Sequence, residues 1–191
     1  MTWPRRRSLP NCATGGCSLA GTGRGGGSPI GHDASVSLDV DIAPATLGDK
    51  IAVRHLLELY AYDFSDFTAW DVDEHGLFGY RYLDHYWTEP DRHPFIIRVD
   101  RRIAGFAFVR SGRPHDMAEF FILRKYRGRG VGVQAARSLF ASFPGDWQVR
   151  QLAANTPATA FWHVAIPVPF REDTDENGSV QRFGIAAPVG T

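Results

Sequence analysis

Between Phe120 and Phe140 the chain carries residues whose types and spacing suit one task, holding a phosphate. Gly128, Gly130 and Gly132 alternate with Arg127, Arg129 and Val131. Glycines let a backbone approach a ligand with no Cβ in the way. Arginines bring charge and a planar fork of donors that fits phosphate oxygens. The flanks give this turn its meaning. Before it, residues 120–123 are aromatic and branched, the composition of a buried strand. After it, Val133, Ala136 and Phe140 recur at helical spacing. A strand, a glycine turn and a helix start collect unpartnered N–H groups at one point, and the helix dipole adds positive potential there. Two other phosphate motifs are excluded. No Gly-Lys-Ser/Thr end completes a nucleotide P-loop, and Gly128-Arg129-Gly130 does not continue to Gly-x-Gly-x-x-Gly.

The elements that must position this turn follow from periodicity. Leu38, Val40 and Ile42 alternate with polar residues and predict a first strand. Thr46 is placed to cap a helix, with Asp49 three residues on. Val53, Leu56, Leu57 and Tyr60 then follow at helical spacing, to an end near Tyr62. Residues 94–99 and 103–109 read as an antiparallel hairpin, and a central strand spans about 117–123. Pro144 and Gly145 stop the helix after the glycine turn, and residues 147–152 form a fifth strand. Pro157 suits the first turn of another helix, with Thr156 as its cap. Residues 168–170 form a strand that Pro167 and Pro169 confine to an edge, and Asn177-Gly178 turns a hairpin into residues 180–185. Edge strands in this hairpin offer a surface for a homodimer.

Two pieces of the chain carry a resemblance. Arg127-Gly128-Arg129-Gly130-Val131-Gly132 fits Arg/Gln-x-x-Gly-x-Gly/Ala, and residues 155–162 fit Asn-x-x-Ala-x-x-Phe-Tyr except at the last position. They come in order, one helix and one strand apart, after three consecutive antiparallel strands. Over roughly residues 37 to 186 the chain resembles the GNAT superfamily of N-acetyltransferases. The resemblance implies an α/β (α+β) domain with the acyl-CoA N-acyltransferase fold. Its sheet would be central, mixed and mostly antiparallel, with about six or seven strands flanked by helices. It also implies transfer of an acetyl group from acetyl-CoA to a primary amine, by direct attack in a ternary complex with no acyl-enzyme.

Roles come with the resemblance. Backbone N–H groups of residues 127–132, Arg127 and Arg129 with their guanidiniums, and Gly128, Gly130, Val131 and Gly132 would hold the pyrophosphate. Ile122 and Leu123, at the splayed end of the central strand, would pair with the pantetheine arm. A main-chain N–H there would polarise the thioester carbonyl. Asn155 would contact the pantetheine side of the cofactor. Glu119 would take the proton of the amine, directly or through water, because an alkylammonium of pKa about 10 is unreactive at neutral pH. One position departs from the pattern. Trp162 stands where the family has tyrosine, and indole is no acid; His163, Tyr126 or solvent would then protonate the leaving thiolate. The alternatives to a small-molecule acetyltransferase are a CoA-binding module without efficient chemistry and a peptide or protein acetyltransferase.

Composition sets outer bounds. The 191 residues suffice for one domain with a full core, at 43% hydrophobic and 13% aromatic content. Lys+Arg and Asp+Glu both number 21, so no basic excess points to nucleic acid, and no apolar run approaches a membrane span. Residues 1–35 are rich in Gly, Ser and Pro and read as a disordered tail, leaving 36–191 as the domain. Within the tail, Gly21-Thr22-Gly23-Arg24-Gly25-Gly26 mimics a dinucleotide fingerprint without a strand before it. Cys12 and Cys17, both in the tail, leave the domain without a disulfide or cysteine metal site, which fits a reducing cytoplasm. His75, His85, His93 and His115 have no metal-ligand spacing. Residues 63–92 crowd acids and aromatics together. They form either the wall of a cationic amine pocket or a loop whose aromatics pack inward while its acids cap turns.

Overall fold

The computed structural model describes residues 38–187. The expectations for residues 1–35, including the glycine run and both cysteines, lie outside them. In chain order come β1 (Val40–Pro44), α1 (Lys50–Ser65), β2 (Arg92–Val99), β3 (Arg102–Arg110), β4 (His115–Ile122), α2 (Val131–Ser142), β5 (Gly145–Gln151), α3 (Thr156–Ala165), β6 (Arg171–Asp175) and β7 (Gly178–Ile185). The strands form one seven-stranded sheet in the order β1-β2-β3-β4-β5-β7-β6. Every neighbouring pair is antiparallel except β4 and β5. This is the mixed, mostly antiparallel sheet that the resemblance implies.

Both faces of the sheet are covered, so its central strands are apolar at nearly every position. Phe95 and Ile97 of β2 face the layer of α2 and α3, where Val131, Ala135, Leu139, Phe140 and Trp162 meet Trp147 and Val149. Ile96 between them faces α1, where Val53, Leu57 and Tyr60 meet Phe106, Phe108 and Phe121. Burying an aromatic or branched side chain contributes roughly 1.5–3 kcal/mol, so these two layers supply the main drive to fold. Trp147 is fully buried, and its indole N–H is satisfied by the carbonyl of Phe143 at 2.8 Å.

Several expected boundaries move, each for a local reason. Thr46 caps a short 3₁₀ turn, Leu47–Asp49, that leads into α1; Asp49 Oδ2 accepts from the Thr46 N–H (2.9 Å) and hydroxyl (2.7 Å). α1 runs past Tyr62 to Ser65 because Phe64 extends the buried stripe, its ring 4.5 Å from that of Tyr60. Asn155, not Thr156, caps α3; its Oδ1 accepts from the Ala158 N–H at 3.2 Å. The strand expected at 168–170 begins instead at Arg171, since Pro167 and Pro169 have no N–H to give a ladder. The Asn177-Gly178 hairpin forms as expected, with Asp175 Oδ1 accepting from both N–H groups. The outer strand β6 has four charged residues in five, Arg171, Glu172, Asp173 and Asp175, a composition that discourages pairing of that edge with another chain.

One break in the sheet matters most for the site. β4 and β5 pair only where His115, Asp116 and Met117 meet Trp147, Gln148 and Val149. Beyond Met117, β4 keeps β3 as a neighbour and leaves β5. The last part of β4 therefore presents an open edge.

Candidate active site

Where β4 leaves β5, it also bulges. Phe108 pairs with Glu119 but Val109 pairs with Met117, so Ala118 is an extra residue on β4. In an unbroken strand Met117, Glu119 and Phe121 would share one face. Met117 faces the α2 layer and Phe121 faces α1, so the bulge turns Glu119 onto the α1 side. There it is 8% exposed. The Tyr60 hydroxyl donates to Oε2 at 2.6 Å and the Tyr80 hydroxyl donates to Oε1 at 2.9 Å. Burial pushes the Glu119 carboxyl up to about 7, against the lowering pull of the two hydroxyls. Burial, reinforced by the Glu119 charge, drives both phenols far above their ordinary value, so they remain donors. A carboxylate offers about four lone-pair sites, and two are taken here. Two remain for further donors. Tyr80, which holds Glu119 from one side, also lines a cleft of about 560 Å³ beside α1, with Lys50, Arg54, Leu57, Glu58 and Leu83.

The edge of β4 has a definite hydrogen-bonding parity. The Leu123 N–H donates to Ala104 O at 2.8 Å, toward β3. In an antiparallel ladder alternate residues point the other way, so the Phe120 and Ile122 N–H groups face the open edge. This distinguishes the two residues expected at the splay. The Leu123 N–H is taken by β3, and the available donor at the splay is that of Ile122. The Ile122 carbonyl already accepts from Arg127 Nε at 2.7 Å.

The glycine loop has the conformation its composition requires. A 3₁₀ turn, Arg124–Tyr126, leads from β4, and Gly130 is the N-cap of α2. Gly128 and Gly130 have φ of 69° and 80°, the left-handed region that disfavours other residues. Gly132 answers to space instead. A Cβ there would lie 3.0 Å from Phe161 Cε2 and 3.5 Å from Ile122 Cγ1, so its absence lets α3 and β4 close on the helix start. The first helical hydrogen bond is Gln134 N–H to Gly130 O at 3.0 Å. The N–H groups of Val131, Gly132 and Val133 precede it and have no partner in the helix. Loop and helix start thus form a concentrated donor site for an anion. An open groove with Val133, Gln134, Arg137, Ser138 and Ala141 begins at Gly130. Arg129 is exposed beside it, whereas Arg127 is partly engaged, with Nη2 donating to Asp63 Oδ2 at 2.5 Å.

The remaining expected residues divide. Asn155 is buried, and its oxygen is the cap of α3. Trp162 packs against Phe120, ring centroids 5.2 Å apart, on the α2 side of β4. His163 turns toward β6, with Nε2 3.0 Å from Glu172 Oε2, and Tyr126 is buried in the α2 layer, so neither is brought to Glu119. Of the two readings for residues 63–92, these contacts favour packing and capping. Asp71 and Asp73 accept from neighbouring N–H groups, Asp63 pairs with arginines, and Tyr86 stacks on Phe108 at 3.7 Å. Among the described residues no group of three or more His, Cys, Asp or Glu is placed to hold a metal, and no helix is long and apolar enough to cross a membrane.

Tyr60 and Tyr80, the two partners of Glu119, are the candidate site residues that the sequence alone does not reveal. One signal is available for Tyr60. It shares a buried helical stripe with Val53, Leu56 and Leu57, and a phenol on such a face needs a partner. No comparable signal marks Tyr80 among the many aromatics of its loop.

Comparison with known proteins places this geometry in context. The model of the acetyltransferase (GNAT) family matches residues 54–164. Among curated proteins none matches the chain significantly. Many solved structures share the fold. An acetyltransferase from Thermus thermophilus is 19% identical, with a TM-score of 0.54, over 75% of this chain and 94% of its own. The PaiA N-acetyltransferase of Thermoplasma acidophilum, solved in complex with coenzyme A, is 10% identical with a TM-score of 0.54, covering 76% and 98%. The ribosomal-protein-S18-alanine N-acetyltransferase of Escherichia coli is 12% identical with a TM-score of 0.55, covering 78% and 96%.

Proposed function

Because the chain belongs to the GNAT family of acetyltransferases, whose model covers more than half of it, we propose that it moves an acetyl group from acetyl-CoA to a primary amine of a small-molecule acceptor. The observation that carries this reading is Glu119, buried and held by two tyrosines at the point where β4 leaves β5. A carboxylate titrating near 7 is matched to removing a proton at neutral pH. The coenzyme A complex of the PaiA neighbour supports an acyl-CoA donor.

Bound acetyl-CoA would supply an activated thioester. The N–H groups of Val131, Gly132 and Val133, with Arg129 and the free donors of Arg127, would hold its pyrophosphate. The outward N–H groups of Phe120 and Ile122 would pair with the pantetheine arm, and that of Ile122 is the candidate to stabilise charge developing on the thioester oxygen. Asn155 would add a contact to the arm. Glu119 takes a proton from the amine, directly or through one water; the amine nitrogen forms the new bond to the acetyl carbon as the carbon–sulfur bond breaks. The thiolate leaves and is protonated by solvent, since Trp162 has no acidic proton to give and His163 is paired with Glu172. Trp162 also favours a second reading, a CoA-binding module without turnover.

Thermal unfolding of the full chain with acetyl-CoA, and with ATP and NAD as controls, tests the cofactor. At 100-fold above its dissociation constant a ligand stabilises by about 2.7 kcal/mol, a rise of roughly 5–10 °C at this size. A rise selective for acetyl-CoA, followed by acetylation of members of an amine panel, is the expected result. No rise ends the acetyltransferase reading. A rise with no turnover on any amine selects the binding module.

A further inference from the structure

We propose that Asp63, in the last turn of α1, is a positioning residue for the phosphate-binding loop, acting through Arg127; this rests on the acetyl-CoA reading above. Asp63 uses its two oxygens separately. Oδ1 accepts from Arg124 Nη2 at 2.6 Å and Oδ2 accepts from Arg127 Nη2 at 2.5 Å, so the carboxylate brackets the turn that leaves β4, holding its first residue and the residue that follows it. Arg127 is also fixed from the other side, by Nε to the Ile122 carbonyl and by its guanidinium 5.4 Å over the Phe121 ring. One planar group thereby ties three things together: the helix end, the splayed end of β4 and the entrance of the glycine loop. Asp63 is the better buried partner, its side chain 18% exposed against 44% for Arg127 and 70% for Arg124. The two arginines outweigh burial and hold its carboxyl below the usual range.

Two of the five N–H donors of Arg127 are engaged among the described residues, which leaves three to offer an anion. One turn earlier on α1, Tyr60 holds Glu119. A single helix face therefore sets both the carboxylate and the loop, and any shift of α1 moves them together.

The sign of the effect separates positioning from charge. By charge alone, replacing Asp63 removes a negative group beside the loop and should tighten binding of an anionic ligand. Positioning predicts the reverse. The test is titration calorimetry of coenzyme A with the wild type, Asp63→Asn and Asp63→Glu, paired with steady-state kinetics on acetyl-CoA and on S-acetyl-pantetheine, which lacks the pyrophosphate. The expected result for Asp63→Asn is about tenfold weaker CoA binding, the scale of one lost charge-assisted contact. Its ratio of kcat/KM for acetyl-CoA to that for S-acetyl-pantetheine should fall by a similar factor. Asp63→Glu, which keeps the carboxylate, should recover most of both. Unchanged or tighter CoA binding in Asp63→Asn overturns the proposal, as does a loss that strikes both donors equally and leaves their ratio at the wild-type value. A wild type that binds no CoA overturns the acetyl-CoA reading itself, and this role with it.

Discussion

To serve as the proposed base, Glu119 needs two properties at once, a pKa near the working pH and a lone pair a substrate can reach. Burial alone would raise its pKa and disable it as a base at pH 7; the Tyr60 and Tyr80 hydroxyls oppose that rise and fix the carboxylate plane. The pH dependence follows with a definite sign. Acetylation, read as kcat/KM with amine ionisation held fixed by a weakly basic acceptor, should increase as pH rises through about 7 and then level as Glu119 becomes fully ionised. Tyr60→Phe removes a hydroxyl that lowers the pKa, so it should move the midpoint upward. Glu119→Gln should abolish the limb, cut kcat by roughly 10²–10⁴ and leave acetyl-CoA binding intact. A Glu119→Gln enzyme that retains both its rate and its pH limb would remove Glu119 from the chemistry. Glu119 itself could be named from the chain, because the family resemblance points to a glutamate a few residues before the glycine loop, on a strand legible by its apolar run. Its two partners could not, since contacts spanning 59 and 39 residues depend on the one-residue bulge at Ala118. The same bulge decides which face of the sheet Glu119 occupies, and nothing in the local pattern marks it.

α3 shows how an element can hold a site while being held by it. Its first turn is capped by the Asn155 oxygen, and its last carbonyls, Val164 O and Ala165 O, accept from Arg137 of α2. Asn155 has thus two assigned tasks, cap and cofactor contact, which substitution can separate. Asn155→Ala should cost about 1 kcal/mol and lower Tm by roughly 2–4 °C. Asn155→Asp retains a good cap but loses the amide donor. It should keep the Tm of the wild type and weaken acetyl-CoA binding. Calorimetry that finds wild-type affinity in Asn155→Asp would leave Asn155 as a cap only. At this scale the chain is largely legible. The strands 94–99 and 103–109, the glycine turn and the Asn177-Gly178 hairpin follow from apolar runs bounded by turn residues, and the structure contains them. What escapes is where a pattern fades gradually. α1 continues to Ser65 on the strength of one aromatic contact, and the strand expected at 168–170 slides to Arg171 because two prolines remove its donors. Residues 63–92 have no periodicity to read; Asp71 and Asp73 accept from N–H groups within four residues, whereas the arginines that pair with Asp63 lie 61 and 64 residues away and only the folded chain brings them near.

Over the whole molecule, the same buried carboxyl sets a conflict between stability and function. Lys+Arg and Asp+Glu balance at 21 each, so self-repulsion is small near neutrality and individual shifted groups dominate the pH profile. Asp49, lowered first by its bonds from Thr46, and Asp63, lowered by its arginines against burial, add stability above the ordinary carboxylate range near 3.8 and lose it as pH falls through their folded values. His93, lowered by burial, adds stability above 6.5 and loses it as pH falls through its own folded value. Glu119 acts in the opposite sense to all three. Its folded value of about 7 lies above the ordinary 4.5, so the native state holds a proton that the unfolded chain has released. The contribution of Glu119 is therefore full at low pH, declines from about 4.5 to about 7 and is absent beyond, a change on the order of 3 kcal/mol. Glu119→Gln keeps the shape of the site without the titration. Urea unfolding of both proteins from pH 5 to pH 8 isolates the contribution, because every other group cancels in the difference. The wild type should lose stability relative to Glu119→Gln across this range and then run parallel to it. Two curves that stay parallel throughout would mean that Glu119 is ionised at its ordinary pKa in the folded protein. The site would then hold a charged carboxylate across the whole range, with no base poised near neutrality.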